Sequence, residues 1–572
     1  MLDLRIDGGS VIDGTGTPAR RADVGVRDGQ IVAIGALSEG ATRTIDAAGR
    51  VVCPGFIDIH THYDAQVFWD PTLSPSPLHG VTTVIGGNCG FSIAPLRPEA
   101  ADYLMRMLAR VEGMPLESLA QGVPWDWRSF GEYLDRLEGR LAVNAGFLVG
   151  HSPLRRIAMG ERAVGGAATP ADLDAMKALL AESLAEGGLG FSSSWAATHN
   201  DGDGQPVPSR AATRDELVAL AGVLRDAPGT SLEFIPGVGR FSDEQIEVMA
   251  DMSVAAQRPL NWNMLVAVSF APDAYKQQLA ASDVAAARGG KVVALTVPQP
   301  ITLRLNLVTA FVLDSLPNWA EVVTLPLPAR KRALADPAVR TKLDEGAKNA
   351  GPMGFVARWE HYVIEESWAA ANERWRGQTV GDVAKALGIA PLDALLDVAL
   401  ADELRTVFRP ALGGDDEASW QLRGKVWQDP RVMIGASDAG AHLDMIDSFT
   451  LSTSLLGPAV RERGLIELED AIHQITDRPA RLYGLERRGR IASGFHADLV
   501  VFDPATIAPG PIHTRRDLPG GAARLFAEAE GIEHVFANGV EVVRGKQLTG
   551  ARPGTVLRSG RDSGSGSERA LS

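Results

Sequence analysis

Apolar and polar positions along the chain fall into two textures. Near both ends, short β-type runs alternate with glycine turns: "LDLRID" and "ADVGVRDGQIVAIG" early, "ADLVVFD" and "IEHVFANGVEVVRG" late. Asp28-Gly29 and Asn538-Gly539 each stand between two such runs, a strong local signal for a two-residue hairpin. Two β-rich ends predict one small β-sandwich, built from residues 1–54 and 486–552 together.

The middle of the chain alternates apolar β-type runs with helical stretches, the pattern of a parallel sheet. Eight candidate strands stand out, at 56–62, 82–89, 144–152, 188–195, 231–238, 259–267, 291–299 and 432–440. Amphipathic helices lie between several of them, and Thr169 and Thr213 stand at the starts of two as capping residues with an acidic residue following. Eight such units predict an α/β fold, a (β/α)8 TIM-like barrel over 55–485. Residues 90–143 carry an extra helical segment. A stretch from 300 to 431 is too long for a simple connection and reads as an insertion, of a kind that forms lids or subunit contacts. The end of the chain, 553–572, is rich in Ser, Gly and charge and is expected to be a disordered tail.

Composition narrows the function. The chain has 572 residues, 45% hydrophobic and 22% charged, as in ordinary globular proteins. Its net charge of −15 gives no electrostatic support to a nucleic-acid or anionic-membrane partner. Two cysteines, Cys53 and Cys89, make no disulfide scaffold. The N-terminus lacks the apolar core of a signal peptide, and no apolar run reaches membrane-spanning length. The expectation is a cytoplasmic homo-oligomer acting on a small molecule.

Active sites of such barrels lie at the C-terminal ends of the strands. There the sequence places "DIHTH", with His60 and His62 two positions apart and so on one side of a strand. The second strand ends in Cys89, the third in His151 and the eighth in Asp438. Taken singly, each has an ordinary explanation: a buried small thiol, a core histidine, a helix-capping carboxylate. Together His60, His62, Cys89 and Asp438 form a nitrogen, thiolate and carboxylate set that suits zinc. Asp438 would then be the catalytic proton carrier. His151, His199 and Arg210 in the loop 198–210, Glu233 on the fifth strand and Asn263 on the sixth are candidates for substrate contacts. Phe91, Trp195 and Trp262 sit near strand ends and read equally as pocket lining or core.

These residues, in this order, resemble the amidohydrolase superfamily: "PGFIDIHTHYDA" after a β-rich start, "SDAGAH" on the last barrel strand, and "PARLYGLERRGRIASGFHADLVVFDP" returning to the sandwich. The stretch "HTHYDAQVFWDPTLSPSPLHGVTTVIGGNCGFSIAPLRP" is similar to the N-acyl-D-amino-acid deacylase branch, in which a cysteine after strand 2 replaces a carboxylated lysine. The resemblance implies His60 and His62 as ligands, Cys89 as a bridging ligand, and Asp438 as ligand and proton shuttle. Two departures follow. The branch completes a second metal position with histidines on strands 5 and 6, but no histidine stands between His199 and His361. The branch also binds the substrate carboxylate with an arginine shortly after the strand-8 aspartate, whereas the first arginine after Asp438 is Arg461.

The reading is therefore a metal-dependent amidohydrolase that cleaves a C–N bond with one zinc per chain, its second metal position lacking histidines. Two rivals remain: a cyclic-amide hydrolase or lyase on the same barrel, and a degenerate barrel without catalysis.

Overall fold

The computed structural model describes residues 1–310 and 312–564, and only the backbone of residues 352 and 353. It divides into two compact units: residues 1–299, 415–441 and 448–572 form the first, residues 300–414 and 442–447 the second.

In the first unit both chain ends enter one nine-stranded sheet. The strand Val51–Pro54 lies between Leu2–Val11, which it pairs in parallel, and Leu499–Phe502, which it pairs in antiparallel. The hairpin expected at Asp28-Gly29 joins Arg20–Arg27 to Gln30–Gly35, and the one at Asn538-Gly539 joins Ile532–Ala537 to Val540–Arg544. All four turn residues have φ between 48° and 78°, as a type I′ turn requires. Leu4, Ile6, Val24, Ile31, Leu499 and Phe536, from both ends of the chain, share one core beneath this sheet.

Every one of the eight candidate strands of the middle region appears. They are β1 (Phe56–Asp58), β2 (Val81–Gly86), β3 (Asn144–Phe147) with its continuation β4 (Val149–Gly150), β5 (Gly190–Ser194), β6 (Ser231–Ile235), β7 (Pro259–Trp262), β8 (Lys291–Thr296) and β9 (Val432–Ile434). All pair in parallel, in two ladders: β1-β2-β3, and β4-β5-β6-β7-β8-β9. The fold is thus mixed α/β with a parallel core. The two ladders are separate sheets and do not close into one. Beyond the ends of β1 and β9, one bridge joins Thr61 to Ala439.

Thr169 and Thr213 cap the helices Pro170–Ala185 and Arg214–Val223, accepting from the amides of Asp172 and Glu216. The expected tail gives way to structure as far as residue 564. A tenth strand, β10 (Val556–Leu557), pairs in parallel with β3, and its two side chains are fully buried. The Ser563 hydroxyl donates to the Gly229 carbonyl. Serine, glycine and charge failed as signals of disorder here because Val556 and Leu557 bury against a waiting sheet edge. Residues 565–572 lie outside the described residues.

The second unit is mainly helical, with one short antiparallel pair, Val363–Glu366 with Val407–Arg409. Its own core gathers Trp319, Trp359, Tyr362 and Leu396. Its long segment ends at Gly414, so the helix Glu417–Trp427, read from sequence as part of the insertion 300–431, belongs to the first unit.

Among the described residues no helix is long and apolar enough to cross a membrane.

Candidate metal and active site

The candidate ligands lie just beyond the C-terminal ends of their strands. β1 stops at Asp58, so His60 and His62 stand in the connection that follows it. That connection is held extended by its neighbours. Thr61 N donates to Ile85 O (3.0 Å), His62 N to Ala439 O (2.7 Å) and Asp438 N to His60 O (3.0 Å). The segment after β1 is thereby tied by backbone bonds to β2 and to the segment after β9.

Cys89 sits in the short turn Asn88–Gly90 with φ 57°, and Asp438 has the same left-handed φ. Such a conformation is uncommon for residues other than glycine and marks positions that the surroundings dictate. Around Cys89 the surroundings are specific. Its amide donates to Glu233 Oε2 on β6 (2.8 Å). Gly90 N donates to the Ser192 hydroxyl of β5 (3.0 Å), which itself donates to Gly87 O.

The side chains converge. Cys89 Sγ lies 3.5 Å from His60 Nε2 and 3.7 Å from His62 Nε2. Asp438 Oδ1 lies 2.9 Å from His62 Nε2 and 3.5 Å from His60 Nε2. Tetrahedral zinc, with bonds of about 2.0–2.3 Å, requires neighbouring N, O and S donors about 3.3–3.6 Å apart. The donor chemistry suits that metal, and the spacing of Cys89 from the two imidazoles fits it; His60, His62 and Cys89 lie within 4.8 Å of one another, while Asp438 groups with His62 and Glu112. His60, His62 and Cys89 are buried, whereas the Asp438 side chain keeps 30% of its surface. Asp438 is thus the member of the set that faces an approaching molecule.

Without a cation the cluster holds protons instead. Burial alone would lower the His62 pKa, but the carboxylates of Glu112, Asp438 and Asp64 outweigh it and push it up to about 10. Burial lowers the pKa of His60 and raises that of the Cys89 thiol, the latter further through the charge of Glu233. Asp438 would also be raised by burial, yet hydrogen bonds from both histidines hold it well below the usual carboxylate range. A divalent cation in this place would displace protons from His62 and Cys89.

The other sequence candidates divide. Asn263 reaches the site: its Nδ2 is 3.1 Å from His60 Nε2, and its Oδ1 is buried with no partner among the described residues. Glu233 also arrives, but one of its oxygens holds the Cys89 turn, and the other is buried without a partner among the described residues. Burial pushes its pKa up to about 8. His151 is fully buried at the start of the helix His151–Met159. Its Nδ1 meets the Ser193 hydroxyl at 2.8 Å and its Nε2 meets Glu216 Oε1 at 2.9 Å. Both ring nitrogens are engaged, an arrangement that matches the core-histidine explanation. Arg210 is turned into its own loop, donating to His199 O and Asn200 Oδ1. His199 packs its ring 5.0 Å from that of Phe91, two residues after Cys89, and contacts the Ser194 hydroxyl. Phe91 and Trp262 are core residues, both buried, while Trp195 is partly exposed and donates to Ala212 O.

Sequence reasoning missed Glu112. It lies in the helical segment 90–143, read only as an insertion, yet with His62 and Asp438 it forms a second group of donors within 4.8 Å of one another. A glutamate after "RV" carries no motif, so no pattern in the sequence marks it.

A model of the amidohydrolase family matches residues 43–543. The chain belongs to the amidohydrolase family. Among relatives of this amidohydrolase, D-aminoacylase of Alcaligenes xylosoxydans xylosoxydans is 30% identical over 566 residues, 97% of each chain. Two solved structures share the fold along nearly the whole amidohydrolase chain. The N-acyl-D-glutamate deacylase of Bordetella bronchiseptica, complexed with zinc and a phosphonate inhibitor, is 26% identical with a TM-score of 0.65. The alignment covers 98% of this chain and 100% of that one. A D-aminoacylase described as having a binuclear metal centre, with one-metal activation and second-metal attenuation, is 27% identical with a TM-score of 0.64. It is covered to the same extent.

Proposed function

We propose that this amidohydrolase cleaves the amide bond of a small N-acylated molecule with a single zinc held by His60, His62, Cys89 and Asp438. The observation that carries the reading is that Cys89 Sγ, at 3.5 and 3.7 Å, and Asp438 Oδ1, at 3.5 and 2.9 Å, both face the Nε2 atoms of His60 and His62, from three strand ends, with Asp438 the most open of the four. The zinc-bound deacylase and the D-aminoacylase among the relatives support the same chemistry. The reading also takes the parallel strands as a (β/α)8 barrel, supported by the bridge between Thr61 and Ala439.

The bound metal would supply Lewis acidity and a water acidic enough to attack a carbonyl at neutral pH. The chain does the rest. His60 and His62 stand on a backbone fixed by β2 and by the segment after β9. Asp438, the most open of the four, accepts the proton of the attacking water and delivers it to the departing nitrogen. Asn263, beside His60, is placed to hold the carbonyl side of the amide.

The second metal position of the branch has no histidine here; Glu233 and Asn263 occupy the ends of the fifth and sixth strands instead. Glu233 is engaged by the Cys89 amide. The proposal is therefore one metal per chain.

Elemental analysis of protein purified without chelator, together with turnover of N-acetyl-D-amino acids and of cyclic amides, tests this. The expected result is about one zinc per chain, lost in His60→Ala/His62→Ala. Asp438→Ala should lower turnover at least 10²–10⁴-fold with the fold intact, the usual weight of a positioned proton carrier. Two metals per chain, or full activity in folded Asp438→Ala, would refute the proposal. Turnover of cyclic amides alone would move the substrate to that class.

A further inference from the structure

Glu112 is an expensive residue where it stands. It is 3% exposed and caps the C-terminal end of the helix Pro98–Val111, where the helix dipole disfavours a carboxylate. Its one ion pair or hydrogen bond through the side chain, among the described residues, is to His62: Oε1 lies 3.4 Å from Nδ1. That nitrogen is the one turned away from Cys89 and Asp438, which both face Nε2. An imidazole whose Nδ1–H points at a carboxylate presents Nε2 as the lone pair, with its ring orientation fixed and its basicity raised.

From this arrangement we infer that Glu112 is a positioning residue for the metal site, fixing the tautomer and aim of His62 from the segment between β2 and β3. The inference rests on the reading of His62 as a metal ligand. The buried carboxylate faces an imidazole, and that imidazole explains its place. Gln at this position keeps an acceptor oxygen for Nδ1–H, whereas Ala removes it.

Competition of the metal-free chain with a chromogenic zinc chelator tests the inference, on wild type, Glu112→Ala and Glu112→Gln. The melting temperature of each metal-free protein is measured alongside. Zinc affinity should fall about 10–100-fold in Glu112→Ala, the usual effect of losing such a partner. Glu112→Gln should recover most of the loss, and both metal-free variants should remain folded at the assay temperature, though melting below wild type because the buried His62 loses its carboxylate. Should Glu112→Ala not fold, Glu112→Asp, with its reach cut by one methylene, takes its place with the same expected direction. Wild-type affinity in folded Glu112→Ala or its substitute, or Gln as weak as Ala, would overturn the inference while wild-type binding left the metal reading standing. A wild-type chain that binds no zinc would overturn both.

Discussion

At the scale of single residues, the site depends on conformations that most side chains avoid. Gly87 opens the Cys89 turn at φ 74°, and a Cβ there would meet the backbone oxygen of Leu148 at 2.2 Å. No side-chain adjustment relieves a clash with backbone. Gly87→Ala should cost more than about 1 kcal/mol in urea unfolding and weaken zinc binding by displacing Cys89. Unchanged binding would mean the turn is not what aims the thiol. The candidate ligands were legible in the sequence because they sit at strand ends, where a two-residue period and an apolar run expose them. Glu112 was not legible, since its importance comes from a helix packing that no local pattern announces. His151 shows what a strand-end histidine in a sequence leaves open: only the fold reveals that both nitrogens meet Ser193 and Glu216.

At the scale of elements, one buried carboxylate joins the sheet built from both ends to the parallel core. Asp498 pairs with Arg488 and accepts from Asn538 N (2.8 Å) and Asn144 Nδ2 (3.2 Å). Asn538 belongs to the late hairpin and Asn144 opens β3, and the two amides also bond to each other (2.8 Å). Asp498→Ala leaves the Arg488 charge buried and unpaired, so a loss of about 3–5 kcal/mol is expected by chemical denaturation. A loss under about 1 kcal/mol would show that water or rearrangement replaces the carboxylate. The hairpins and parallel strands were readable from turn chemistry and hydrophobic runs. The burial of residues 556–557 was not, because two apolar residues in a polar stretch become a strand only when a partner edge exists.

At the scale of the whole molecule, acid sensitivity follows from a histidine far from the chemistry. His79 is fully buried between the Thr453 hydroxyl (2.8 Å) and the Ala527 carbonyl (3.1 Å), and burial lowers its pKa to about 4. The unfolded chain takes up that proton near pH 6.5 and the folded chain only near 4. Stability is therefore fully present above pH 6.5 and declines as the pH falls toward 4, by up to about 3 kcal/mol from this group. Between pH 7 and pH 5, His79→Gln should lose about 2 kcal/mol less than wild type, read from melting curves at the two pH values. Equal losses would assign the acid sensitivity elsewhere.

The pairing of β10 with β3 also sets a clock on biosynthesis. Ala145 and Gly146 leave the ribosome roughly 400 residues before Val556 and Leu557, the partners that cover their outer edge. At about 5–20 residues per second, that edge stands open for roughly 20–80 s. For that interval the nascent chain presents an unpaired apolar strand to every other chain in the polysome. A newborn copy of this enzyme is thus a long-lived client for whatever shields sheet edges during translation.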